Sequence, residues 1–164
     1  MELNLVILVF LLAVSIFNQR VQGAFKTLGK IRADLQLSQA DRYTDSFLGK
    51  QISFESREVI LGDDWQGGSK IICRDVSGNQ QVSFYVQGQV LYRRILSGTA
   101  VGVNPLSLPQ VAVAEFAVRQ LSPQVLWVSY KLSEKQTERQ KVFQHFYYLG
   151  NGVLTDVRSD KTIF

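Results

Sequence analysis

Residues 3–17 (LNLVILVFLLAVSIF) carry no charge, and Glu2 stands immediately ahead of them. As a helix they reach about 22 Å, at about 1.5 Å per residue. A bilayer core asks for about 20 apolar residues, so the run is short by about one turn. Apolar positions then recur at Phe17, Val21, Phe25, Leu28, Ile31 and Leu35, followed by Tyr43 and Phe47. Steps of three and four are the period of one helix face. Lys26, Lys30, Arg32, Asp34, Arg42 and Asp45 fall mostly on the other side. The pattern predicts one long N-terminal helix of about fifty residues, roughly 75 Å. Gly49 is expected to end it as a C′ residue. Gly23 and Gly29 cost up to about 1 kcal/mol each relative to Ala and mark the place for a bend.

From Gln51 the period changes to two and turns become frequent. Ile52, Phe54 and Val59–Leu61 make a first strand, 51–61, and Gly62–Gly68 makes a loop. Lys70–Val76 is a strand, with a turn at Ser77-Gly78-Asn79. Val82, Phe84 and Val86 alternate, Gln87-Gly88-Gln89 turns, and Val90–Leu96 returns, the strongest hairpin pattern in the chain. Two prolines and two glycines in Ser97–Pro109 predict an irregular crossing. Val111–Val118 and Gln124–Leu132 follow, the second with Val125, Trp127 and Ser129 opposite Leu126, Val128, Tyr130 and Leu132. Lys131–Gln140 is a polar loop, Lys141–Leu149 an aromatic strand, and Val153–Arg158 ends the sheet after the turn 150–152. The expected fold is α+β, a long helix on an antiparallel sheet of about six to seven strands. It divides into a membrane segment (1–22), its amphipathic continuation (23–50) and a β-sheet domain (51–164).

With 46% hydrophobic and 20% charged residues, the chain supports one real core and is not disordered. A net charge of +4 permits contact with nucleic acid or anionic lipid without arguing for either. Cys73 is the single cysteine, which excludes an intramolecular disulfide and the small Cys-stapled scaffolds.

The catalytic inventory is thin. His145 is the single histidine and sits in an aromatic strand, where a structural role is expected. Cys73 has Arg74 beside it, which lowers a thiol pKa in an open site, but between strand residues a packed Cys is favoured. Asp63-Asp64, with Asp75 further on, offers two or three carboxylates where Ca²⁺ wants six to eight oxygens; a solvated turn is favoured. Arg93-Arg94 beside Tyr92 offers DNA a phosphate contact and a stacking ring, but alternation sends the two arginines to opposite faces. Trp65 and Trp127 are read as packing residues. No phosphate loop, paired catalytic acids or spaced Cys/His cluster is present, so neither an enzyme nor a cofactor is expected.

Glu2 is the feature that a generic anchor leaves unexplained. A carboxylate costs roughly 2.5–3.5 kcal/mol at the bilayer centre, and a secretory apolar core is normally preceded by basic residues. Glu2-Leu3-Asn4-Leu5-Val6-Ile7-Leu8-Val9 resembles the start of type IV pilin-like chains, which open on a few residues, a Glu and a long apolar helix. Val82–Arg94, a strand, a polar turn and a strand ending in arginines, is similar to minor pseudopilins and competence pilin-like proteins. The resemblance implies that a leader and a few residues precede Met1. It implies a filament subunit in the bacterial envelope, anchored by one membrane helix with its C-terminal domain exported. Its partners would be other pilin-like subunits, the assembly machinery and the membrane, with DNA as a possible cargo. The family's Glu, here Glu2, is expected to pair with a neighbour's N-terminal amine, and Phe17, Val21, Phe25, Leu28, Ile31 and Leu35 are the expected helix-packing residues. Two other readings of the apolar segment stay open, a generic anchor and a signal peptide cut before Ala24. The rival function is an exported lipocalin-like barrel, formed by strands 51–158 around an apolar ligand pocket.

Overall fold

A computed structural model describes residues 2–63, 68–150 and 152–158, with side chains from Ile7 onward. Helix α1 runs unbroken from Glu2 to Gly49, through Gly23 and Gly29. It continues as a wider π-helical turn, Lys50–Glu55. Gly49 is therefore not a C′ residue. Its φ of −61° is helical, and residues 51–55, expected as strand, belong to the helix. Burial explains the difference, because Gln51 and Ile52 sit in the core, and one more turn puts both there. The helix contains a stretch long and apolar enough to cross a membrane.

The helix has two distinct faces, one buried and one exposed. Ala33, Leu37, Ala40, Thr44, Leu48 and Ile52 are buried, and the helix meets the strands along this line. The apolar stripe that dominates the sequence lies elsewhere. Phe25, Leu28 and Leu35 are 70%, 60% and 59% exposed, Phe17 and Ile31 are also exposed, and Val21 is intermediate. At about 100° per residue the stripe points roughly opposite to the buried face. These residues do not pack on the chain's own sheet. Asp45, placed by the pattern on the side away from the stripe, turns toward the strands, where it meets Tyr147 and His145.

Among the described residues nine strands follow: β1 (Glu58–Asp63), β2 (Ser69–Arg74), β3 (Gln80–Gln87), β4 (Val90–Ser97), β5 (Ala100–Pro105), β6 (Val111–Ser122), β7 (Val125–Glu134), β8 (Gln140–Tyr148) and β9 (Val153–Asp156). They form a six-stranded sheet in the order β5-β4-β3-β2-β1-β9 and a three-stranded sheet in the order β6-β7-β8. All neighbours are antiparallel except β1 and β9, which run parallel. The β3–β4 hairpin closes on Gly88 and Gln89, both at positive φ, as a two-residue turn matched to strand twist requires. β5 occupies part of the expected irregular crossing. As an edge strand paired only with β4 it tolerates Gly102 and Pro105. Both sheets are open, with β5, β9, β6 and β8 at their edges, so the strands do not close into the barrel that the rival reading required.

One contiguous core takes Leu37, Leu48 and Ile52 from the helix, Val59, Ile71 and Phe84 from the large sheet, and Leu126, Tyr130 and Leu132 from the small one. Cys73 lies within it, 1% exposed. Burial pushes its thiol up to about 12, with the Ser56 hydroxyl pulling the other way. The folded pKa lies above the usual thiol range, so the contribution of the protonated thiol to stability is complete below about pH 8.5 and is lost as pH rises toward 12. At pH 8, Cys73 should therefore resist a maleimide until the chain opens. Labelling should become rapid only in denaturant, as followed by intact mass; rapid labelling of the native protein would contradict this packing.

Candidate functional site

The strongest polar constellation joins the helix to the small sheet. Asp41 and Asp45, one turn apart on α1, face Tyr130 on β7 and His145 and Tyr147 on β8. Two of these contacts are fixed by period, since positions i and i+4 share a helix face and positions i and i+2 share a strand face. The Tyr130 hydroxyl donates to Asp41 Oδ1 at 2.8 Å, and His145 Nε2 lies 2.8 Å from the same oxygen. His145 Nδ1 is 3.1 Å from Asp45 Oδ1, to which the Tyr147 hydroxyl also donates at 2.8 Å. The imidazole is stacked between the two phenol rings, with centroids 5.6 Å and 6.1 Å away. Burial, then the bonds to Asp41 and Asp45, raise the Tyr130 and Tyr147 hydroxyls above their ordinary values, so both remain donors.

Each ring nitrogen of His145 faces a carboxylate oxygen, and Nε2 also lies 3.1 Å from the Tyr130 hydroxyl, so both ring nitrogens are engaged within the cluster. The arrangement is a clamp that fixes the height and rotation of the helix on the sheet. Sequence reasoning placed His145 in a structural role but missed its partners. The signal was two acids one turn apart on the helix, facing an alternating His-Phe-Tyr strand.

Secondary fastenings surround the clamp. Arg139 reaches Asp34 at 3.2 Å. Glu134, 2% exposed, accepts from the Thr137 hydroxyl and N–H at 2.7 Å each and from the Gln136 N–H at 3.1 Å. The Thr137 bonds, hydroxyl first, hold its carboxyl below the usual range. Arg93 donates to Gln51 Oε1 at 3.2 Å and lies over the Phe47 ring at 5.7 Å. At the far end of the large sheet, Arg158 bonds Asp156 and donates to the Val118 carbonyl at 2.7 Å, tying the two sheets together.

The other sequence candidates separate. Alternation divides the two arginines as expected, and Arg93 is occupied at the helix end. Asp63 pairs with Ser69, whereas Glu58 pairs with Arg74, so Asp63 and Asp75 stand at opposite ends of the β1–β2 ladder. Asp75 is engaged by the Ser77 hydroxyl at 2.5 Å and the Gln80 N–H at 3.2 Å. Asp64 and Trp65 lie outside the described residues. Among those described, no group of three His, Cys, Asp or Glu side chains is placed to hold a metal. Trp127 is half-buried beneath Arg119, 5.9 Å from its ring centre. The Glu2 side chain also lies outside the described ones, although its backbone starts the helix. No protein-family model matches the chain, and no curated protein matches it.

Proposed function

We propose that this chain is a non-enzymatic, membrane-anchored subunit of a pilin-like filament, of the minor pilin or pseudopilin kind that serves type IV pili, type II secretion or DNA uptake. One observation carries the reading: a single continuous helix is divided between two tasks. Its C-terminal part is clamped into a folded domain, while its N-terminal part leaves that domain with its apolar side chains uncovered. A helix needed only for the fold has no reason to extend about 45 Å, some thirty residues, past its last packing contact. Glu2, entering an apolar environment at the helix start, needs an opposite charge, and a neighbour's N-terminal amine supplies one while fixing the vertical register between subunits.

Glu2→Ala is the test. The variant should reach the membrane with an unchanged melting temperature for its β domain, because position 2 lies some thirty residues ahead of Ala33, the first buried helix position among the described residues. Its recovery in sheared filaments or cross-linked oligomers from the native host should fall by at least about tenfold, the equivalent of about 1.4 kcal/mol. Wild-type recovery would overturn the assignment of Glu2 to assembly.

A further inference from the structure

We propose that Phe17–Leu35 of α1 is an interfacial helix that rests on the anionic phospholipid headgroups of the leaflet it leaves, in the subunit before assembly. The inference depends on the membrane reading of the preceding segment. It concerns the next five turns, about 27 Å of helix.

Three observations converge on this segment. The stripe Phe17, Val21, Leu28, Ile31 and Leu35 occupies roughly one third of the helix circumference, with Phe25 at its border, and most of it is exposed. An uninterrupted apolar arc on a polar helix is the form that lies in a bilayer interface. The charge is one-sided. Arg20, Lys26, Lys30 and Arg32 fall in this stretch, and no Asp or Glu occurs between Leu3 and Ala33. Arg20 and Arg32 flank the stripe on either side, where their long stems can follow the apolar surface while the guanidinium groups reach phosphate. The first acid, Asp34, is already engaged by Arg139.

The third observation is orientation. The strands lie on the opposite face of the helix, so a flat surface can meet the stripe without meeting them. The segment is also continuous with the apolar run that the membrane reading inserts. Within its first turns, past the end of that run, the Thr27 hydroxyl donates to the Gly23 carbonyl at 3.0 Å, a back-bond that loosens a helix and often bends it. A second copy of this segment in register is the poorer occupant, since it brings Arg20 and Arg32 against their own counterparts with no carboxylate between them. Anionic headgroups supply the missing charge.

The test uses the full chain in lipid nanodiscs, with an environment-sensitive fluorophore on Leu28→Cys, Lys26→Cys or Leu11→Cys, each in a Cys73→Ala background. Discs contain phosphatidylcholine alone or with about one third phosphatidylglycerol, and nitroxide-labelled lipid acts as quencher. The probe at position 28 should be quenched at least about twofold more in anionic discs, and adding Arg20→Gln and Arg32→Gln should abolish the difference. The probe at position 26 should stay unquenched in both. Equal quenching at 28 in the two lipids would overturn the anionic preference. Absence of lipid quenching, with self-quenching between labels instead, would assign the stripe to a second copy and overturn the proposal. The probe at position 11 separates the two layers of inference: if it too escapes quenching, the membrane reading itself fails.

Discussion

His145→Ala should destabilise the folded chain by about 2–4 kcal/mol, the largest loss expected from any polar substitution here. The change removes a group placed between two carboxylates, leaving Asp41, whose side chain is 16% exposed, without the ring at 2.8 Å. Deleting one partner of a buried pair costs about 3–5 kcal/mol because the other charge stays behind. The lower figure adopted here reflects Asp45, 43% exposed, which water compensates. Asp41→Asn should therefore cost more than Asp45→Asn. Tyr130→Phe, which removes one neutral donor, should cost about 1–2 kcal/mol. For a chain of this size the His145→Ala loss corresponds to a fall in Tm of roughly 5–15 °C, measurable by near-ultraviolet circular dichroism on the detergent-solubilised protein. A fall of less than about 2 °C would mean that the clamp contributes little to holding the helix.

A second comparison separates the two faces of the helix. Leu37→Ala should cost about 2–5 kcal/mol, since Leu37 is fully buried and its removal loses transfer energy and leaves a cavity. Leu35→Ala, two residues earlier and exposed, should stay within about 0.5 kcal/mol of the parent chain. The same melting experiment reads both. Comparable losses would show that the stripe packs on the chain's own strands after all. In a lipid or filament assay the order should invert, with position 35 sensitive and position 37 changed only through folding.

The sequence shows the exposed stripe more clearly than the buried face, and the reason is steric. A helix lying close on a sheet uses small residues at the contact, and Ala33, Ala40 and Thr44 do not stand out in a hydropathy pattern as Phe25 or Leu28 do. Where pattern and packing coincide, the reading is sharp. β7 alternates as its residues suggest, and Gly88 marks the β3–β4 turn. It fails where long-range context overrides local signals. Residues 51–55 are helical because Gln51 and Ile52 are needed in the core. β5 is a strand because an edge position tolerates its Gly and Pro. The clamp was illegible for a related reason: each pair within it is local, but the register of Asp41 on Tyr130 and His145 is set by how a helix docks on strands some ninety to a hundred positions later.

The pairing of β1 with β9 carries a consequence for the order of folding. β1 is the first strand after the helix, and its second edge is covered only when Glu58–Leu61 meets Val153–Asp156, with every other described strand lying between them in the chain. That closure is the most non-local strand pairing among the described residues and is expected among the slowest. During synthesis the helix can settle into its surroundings while the flank of β1 still presents unpaired backbone, an open template for a neighbouring chain. The last of the described strands thus seals the first, and Arg158, reaching across to the Val118 carbonyl, latches the seal.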